Sequence, residues 1–395
     1  MNCYHREGGR FVLCLLITFC MVVNGCSRSS SPQTRKMDGV RPAQSESKSI
    51  TVDGRDLRIS GPYLHRNLSV FLFHGRDITT DKFITLEEGL ESGKVVLSEQ
   101  GSERGAASSN DNSNSPNLGQ RQTGPVLQNL GRNISSATVN TLMVENKGDQ
   151  PVYIQAGDIV KGGKQDRTIG VDIVIVPHSG NVPLAAFCVE AGRWSYRSTT
   201  AGNGRFISSA QCLSSKGLKL AVRHSKDQGA VWEKVSDVQK ALNASLATRI
   251  NAEDSPSSLQ LALENKTLRV NVDAYLAELG ALVGKYDDVI GYAFAINGNL
   301  NSADVYASSS LFRKLWPKLL ESSSTEAIAH LNGKEAKEAC TVGEVTSCLK
   351  DAAQAKQIVT DLQGGIRSVT RESEKNYLFE TRRGGVSLRK NYLTK

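Results

Sequence analysis

Lys161, Lys164, Gln165, Asp166, Arg167, Cys188, Glu190, Arg193 and Trp194 all fall within residues 146–194, around two apolar, strand-like runs. Polar, charged and aromatic groups at strand ends are how a rigid sheet presents a site. Arg167 and Arg193 can grip a phosphate or carboxylate through charge-assisted bonds, Lys164 and Gln165 can add donors, and Trp194 can stack on a base or sugar. Period-two alternation puts Glu190 on the Cys188 side of its strand, with Arg193 three residues on, so an internal Glu190–Arg193 ion pair competes with ligand contact. Asp166 adds a carboxylate beside Arg167. Cys188 is a candidate nucleophile, but a thiol needs a base. His178 sits at the hairpin tip and Cys188 about seven residues along the returning strand, roughly 20 Å away at about 3.3 Å per residue, so the two cannot form a dyad. Burial as a small hydrophobe is the other reading of Cys188.

The run from Gly157 to Lys164 nearly spells a phosphate-binding loop, but it carries an extra Gly and has Gln165 where Ser or Thr is required. Alternating Ile169, Val171, Ile173 and Ile175 then announce a strand, not the helix whose N-terminus would hold phosphate. Nucleotide hydrolysis by that route is excluded. The main reading of Gly162 and Gly163 is a flexible turn whose glycines permit positive φ; the other is that its backbone N–H groups, with Lys164 and Arg167, face an anion.

The spellings GGKQDR and CVEAGRW resemble the domain family called ARG and Rhodanese-Phosphatase-superfamily-associated protein. The resemblance extends through ITLEEGLESGKVVLSE from Ile84, QGAVWEKVSDVQKAL from Gln228, GYAFAINGNL from Gly291 and YLFETRRGG from Tyr377. The family name records association with ADP-ribosylglycohydrolases and phosphatases. The resemblance therefore implies nucleotide or ADP-ribose chemistry by association.

His5, Arg6 and Arg10 precede an apolar stretch, Phe11 to Val23, and then Asn24, Gly25 and Cys26. This resembles a lipoprotein signal over residues 1–25, with Cys26 lipidated after cleavage. The stretch is too short to span a bilayer, which takes about 20 residues. Residues 26–50 are rich in Ser, Pro, Arg and Lys and read as a disordered tether. The formal charge of +8 is concentrated outside the folded part: residues 1–25, 26–50 and 382–395 carry +1, +3 and +5, leaving −1 for 51–381. A nucleic-acid face is thus not expected, whereas a basic tether beside a lipid anchor suits an anionic membrane surface. The implied address is a bacterial membrane, the outer one where there is one.

Residues 51–210 read as a β-rich domain interrupted by a polar, low-complexity insertion at about 98–125. Short β-rich runs separated by Gly, Pro, Asn and Asp predict antiparallel hairpins in a sandwich-like half. From Gln228 the apolar period becomes helical, with Val231, Val235, Val238, Leu242 and Leu246 on one face. A hairpin over Val289 to Tyr306, helices over Leu311 to Leu320 and Val345 to Thr360, and two closing strands complete an α+β half at 211–395. Pro317 is expected to kink or interrupt its helix. Cys340 and Cys348 flank Gly343, and a turn there would let them pair as a disulfide. No His or Cys spacing supports a metal site, and no cofactor is expected.

The leading functional expectation is an envelope lipoprotein that binds a small anionic ligand of the nucleotide or ADP-ribose kind, with processing of that ligand as its extension. Its rivals are a non-enzymatic structural or interaction module and a Cys-dependent hydrolase. An open pocket receiving Lys164, Gln165, Arg167 and Arg193 favours the first; internal pairing of those groups favours the second.

Overall fold

The computed structural model describes residues 46–100, 140–193, 195, 205–331 and 338–395. The signal, the tether up to residue 45, Cys26, Trp194 and all of the insertion beyond residue 100 lie outside them. The chain opens with β1 (Glu46–Val52), β2 (Arg55–His65), β3 (Leu68–His74), β4 (Ile84–Thr85), α1 (Leu86–Glu91) and β5 (Val95–Glu99). Then come β6 (Thr141–Asn146), β7 (Val152–Ile154), β8 (Asp158–Gly162), β9 (Arg167–Ile169), β10 (Ile173–Ile175), β11 (Asn181–Cys188) and β12 (Phe206–Cys212). The helices α2 (Lys216–Leu220), α3 (Gln228–Leu246), α4 (Leu259–Leu263) and α5 (Lys266–Leu279) lead to the hairpin β13 (Val289–Ile296) and β14 (Asn299–Tyr306). The last elements are α6 (Ser309–Ala329), α7 (Val342–Gln354), β15 (Gln357–Asp361), β16 (Ile366–Glu372), β17 (Asn376–Arg383) and β18 (Val386–Thr394).

The fold is α+β, as expected. Nine strands form one antiparallel sheet in the order β1-β2-β3-β13-β14-β18-β17-β16-β15, so strands from both sides of residue 211 share it. A six-stranded sheet, β12-β8-β9-β11-β6-β5, and a three-stranded one, β10-β7-β4, come from the N-terminal part. Along β3 the period of two divides two cores. Leu68, Val70 and Leu72 face the larger one with α3, α5 and α6, while Phe71 and Phe73 face a second core closed by α7. Both faces of β3 are therefore buried, which is why LSVFLFH is almost continuously apolar.

Local signals match this plan. Thr85 and Glu88 form a reciprocal capping box at α1, as Thr341 and Glu344 do at α7. Asn297 and Gly298 both take positive φ, 50° and 78°, which suits the two-residue turn between β13 and β14.

Four expectations are revised. Of the kink or interruption expected at Pro317, the interruption does not occur: α6 runs through it, because Leu315, Trp316, Leu319 and Leu320 are buried on its apolar face and that packing outweighs one missing backbone bond. The helix expected to Thr360 ends at Gln354, and the β-branched Ile358, Val359 and Thr360 form β15. The run Ile169 to Val176 breaks at Gly170–Asp172: β9 stays in the six-stranded sheet, β10 joins the three-stranded one, and Asp172 turns into the interior. Gly343 lies in the first turn of α7, so no turn forms between Cys340 and Cys348, and both thiols are free. Burial pushes each up to about 12.

Candidate functional site

The structure brings Gln165, Asp166, Arg167, Cys188, Glu190 and Arg193 together. Antiparallel pairing of β9 with β11 sets Arg167 directly opposite Cys188. Arg167 Nη1 donates to Cys188 Sγ at 2.7 Å and to Gln165 Oε1 at 3.2 Å, and Nη2 stands 3.9 Å from Glu99 Oε1. Arg193 donates from Nε to Glu190 Oε1 at 2.8 Å and from Nη2 to Glu190 Oε2 at 2.7 Å, with Asp166 Oδ1 at 3.7 Å. Glu190 also accepts from the Asp166 backbone at 3.3 Å and from the Ser255 hydroxyl. Asp166 accepts from the Gly162 backbone at 3.1 Å and from Ser258 at 3.3 Å. Asp166 and Glu190 are fully buried and Arg167 nearly so. Buried charges persist when paired and hydrogen-bonded, and this network provides that pairing from within.

Gly162 and Gly163 serve close packing here. Both have positive φ; a Cβ on Gly162 would strike the Arg205 carbonyl oxygen, and one on Gly163 would lie 2.5 Å from the Phe206 ring. The Lys164 backbone N–H donates to Glu99 Oε1 at 2.8 Å, and Lys161 pairs with Glu264 at 2.8 Å. The Gly162 and Lys164 N–H groups therefore meet protein carboxylates, and the Gly163 N–H meets the Arg205 carbonyl at 3.2 Å.

Cys188 is sealed. Gln228 clamps its backbone, accepting from the N–H and donating to the C=O at 2.9 Å each. Burial raises its thiol above the usual range, with Arg167 offsetting part of the effect. Its side chain receives the Arg167 guanidinium, which cannot accept a proton, so no general base is hydrogen-bonded to the thiol among the described residues.

A second buried cluster lies where the sheets meet. Asp172 receives Arg389 at 2.8 Å, Arg223 at 3.0 Å, Thr381 at 2.8 Å and the Ala156 backbone at 2.8 Å. Burial alone would raise its carboxyl; the two guanidinium groups and these bonds outweigh it and hold the group well below the ordinary range. Arg389 also pairs with Asp304 at 2.8 Å. The adjoining cavity, which includes Lys219, Asn391 and Cys212, leaves about 10 Å³ for the centre of a water molecule. That is room for about one water and excludes a nucleotide.

An open concavity lies elsewhere. About 750 Å³ is bounded by β1, β2 and the chain after β3, and Arg55, Arg58, His74, Arg76, Asp56 and Asp288 line it. Arg55 is anchored by donating to the Tyr306 and Arg76 carbonyls at 2.9 and 3.0 Å. Arg58 pairs with Asp288 at 3.1 Å. Arg76 is exposed and has no ion-pair partner among the described residues. The sequence reading missed this region, although HGRD at the end of the apolar run LSVFLF carries the same signal, polar groups at a strand end, that drew attention to GGKQDR.

No curated protein and no solved structure matches the chain. The family model of the ARG and Rhodanese-Phosphatase-superfamily-associated Protein domain matches residues 56–383, from within β2 to the end of β17, and so takes in the paired network and the Arg58, His74, Arg76 and Asp288 side of the cleft, while Arg55 and β1 lie before it. The chain belongs to that family.

Proposed function

We propose that the protein is an exported, lipid-anchored module that binds a small anionic ligand of the nucleotide or ADP-ribose kind, and that the ligand lodges in the cleft of Arg55, Arg58 and Arg76. The observation that carries this reading is the meeting of three arginines at one open concavity of about 750 Å³. One of them, Arg76, has no ion-pair partner among the described residues. Ligand sites are typically concave, with a few placed polar groups, and a guanidinium matches phosphate or carboxylate in geometry. The GGKQDR and CVEAGRW segments then act as a structural clamp.

Calorimetry with ADP-ribose, nucleotides and sugar phosphates tests the reading. Arg58→Ala and Arg76→Ala should each weaken the best ligand about tenfold, the loss of one charge-assisted bond. A second reading, a ligand-free interaction module, is favoured by the internal pairing of Arg167 and Arg193. It prevails where wild type binds none of these anions. The anchor rests on the Val23 to Cys26 signal, and Cys26→Ser should abolish partitioning into detergent and the lipid mass on the N-terminal peptide.

A further inference from the structure

A chain of hydrogen bonds beside the cleft has donors and acceptors that can be assigned by elimination. Asp288 Oδ1 lies 2.7 Å from His74 Nδ1, and His74 Nε2 lies 2.7 Å from Ser60 Oγ. An ionised carboxylate only accepts, so Nδ1 carries the proton and, in the neutral ring, Nε2 is left as an acceptor. The Ser60 hydroxyl must then donate to His74. Its oxygen is free to accept from the Tyr63 hydroxyl at 3.2 Å, and Tyr286 backs Tyr63 at 3.2 Å.

The backbone is shaped for this meeting. Ser60 pairs with Leu72 and Tyr63 with Val70, so Gly61 and Pro62 together face one residue, Phe71. Residues three apart in a regular strand point to opposite faces; the extra residue of this bulge brings Ser60 and Tyr63 to the same one. Gly61 takes φ +125°, and a Cβ there would lie 2.8 Å from the Val70 carbonyl oxygen. His74 is buried and held edge-on against Tyr286 with ring centres 5.0 Å apart, and Arg58 holds the other Asp288 oxygen at 3.1 Å.

We propose that Ser60, His74 and Asp288 are the nucleophile, the base and the orienting carboxylate of an acyl-transfer site for a small carboxylic ester. Ser60 Oγ bonds to the ester carbonyl carbon as its proton passes to His74 Nε2, and the C=O electron pair moves onto oxygen, where the Tyr63 hydroxyl donates to it. Collapse breaks the ester C–O bond, and the leaving oxygen takes the proton from His74. Water then attacks the acyl-Ser60 carbonyl, giving one proton to His74, which returns it to Ser60 as the acid departs. Ser60 is 6% exposed beneath the half-buried Tyr63 and Tyr286, which restricts the acyl group to a small one. Asp288 is a positioning residue, acting through His74.

The test is reaction of the wild-type protein with a fluorophosphonate ester probe, mapped by peptide mass spectrometry, alongside hydrolysis of phenyl acetate. An adduct on Ser60 is expected, lost in Ser60→Ala with cooperative thermal unfolding retained. Asp288→Asn should slow labelling about 100-fold, the scale of a base left in the wrong tautomer or orientation, and Asp288→Glu should recover part of it at unchanged melting temperature. An unlabelled wild type, an adduct on another residue, or undiminished labelling in Asp288→Asn overturns the proposal. The probe is neutral, so failed labelling leaves anion binding in the arginine cleft standing, and failed anion binding leaves the labelling result standing.

Discussion

The network around Arg193 and the cleft around Arg76 are built from the same side chains, arginines and carboxylates at strand ends, but they dispose of charge in opposite ways. Around Arg193 every carboxylate oxygen that matters lies inside: Glu190 and Asp166 are fully buried and surrounded by donors from three separate chain segments. Around Arg76 the carboxylates are exposed, and Asp288 keeps half its side chain in water. An arginine reports on function only when the location of its counter-charge is known. The first arrangement spends its charges on cohesion. The second leaves them available to solvent and to ligands.

The contrast breaks most sharply under Glu190→Ala. This leaves Arg193 without its two short bonds and the Asp166 N–H without an acceptor, so stability should fall by about 3–5 kcal/mol in urea denaturation. A loss below about 1 kcal/mol would show that the network does not hold the fold and would return Arg193 to the list of ligand contacts.

Acid should separate interior from surface in the same way. The folded-state carboxyl of Asp172 is depressed below its ordinary value of 3.8, so its contribution is present above that pH and is lost as the pH falls through the folded value. Between pH 4 and pH 2 the wild type should therefore lose up to about 1.4 kcal/mol per pH unit more than Asp172→Asn, read from denaturation midpoints at each pH. Equal slopes would remove Asp172 as the cause.

At the cleft the effects shrink. Asp288 is also depressed, against the upward push of its burial, by the bonds from His74 and Arg58, but its exposure screens the gain. Asp288→Asn should cost no more than about 1 kcal/mol, and less in high salt. Arg76→Ala should move stability by no more than about 0.5 kcal/mol while weakening an anionic ligand. A large destabilisation by Arg76→Ala would mean that the two regions do not differ in kind.

Much of the architecture was legible because it is written locally. The β3 apolar run, the Asn297–Gly298 turn and the α3 stripe each follow from a short-range rule. The proximity of Arg167, Cys188, Glu190 and Arg193 was legible too, since antiparallel pairing of β9 with β11 brings those strand ends together, although the intervening β10 leaves for another sheet and no plain hairpin forms. Their counter-charges were less so. Ser255, Ser258 and Glu99 reach the network from distant segments, and only the fold reveals that its charges are met from within. The relay was hidden for the same reason: Ser60 and His74 share a hairpin, but Asp288 arrives from the start of β13, and a bulge rotates Tyr63 onto the wrong face for a plain alternation rule.

The ladder between β3 and β13 ties residues 68–74 to residues 289–296 at the centre of the largest sheet. During synthesis β3 therefore emerges long before its partner and must wait with one edge open and Phe71 and Phe73 without their core. Chains cut short before residue 289 keep that edge permanently. Truncation is thus the wrong tool for dividing this protein into working parts, and a nascent chain of this design has reason to rely on holding factors until its second half has been made.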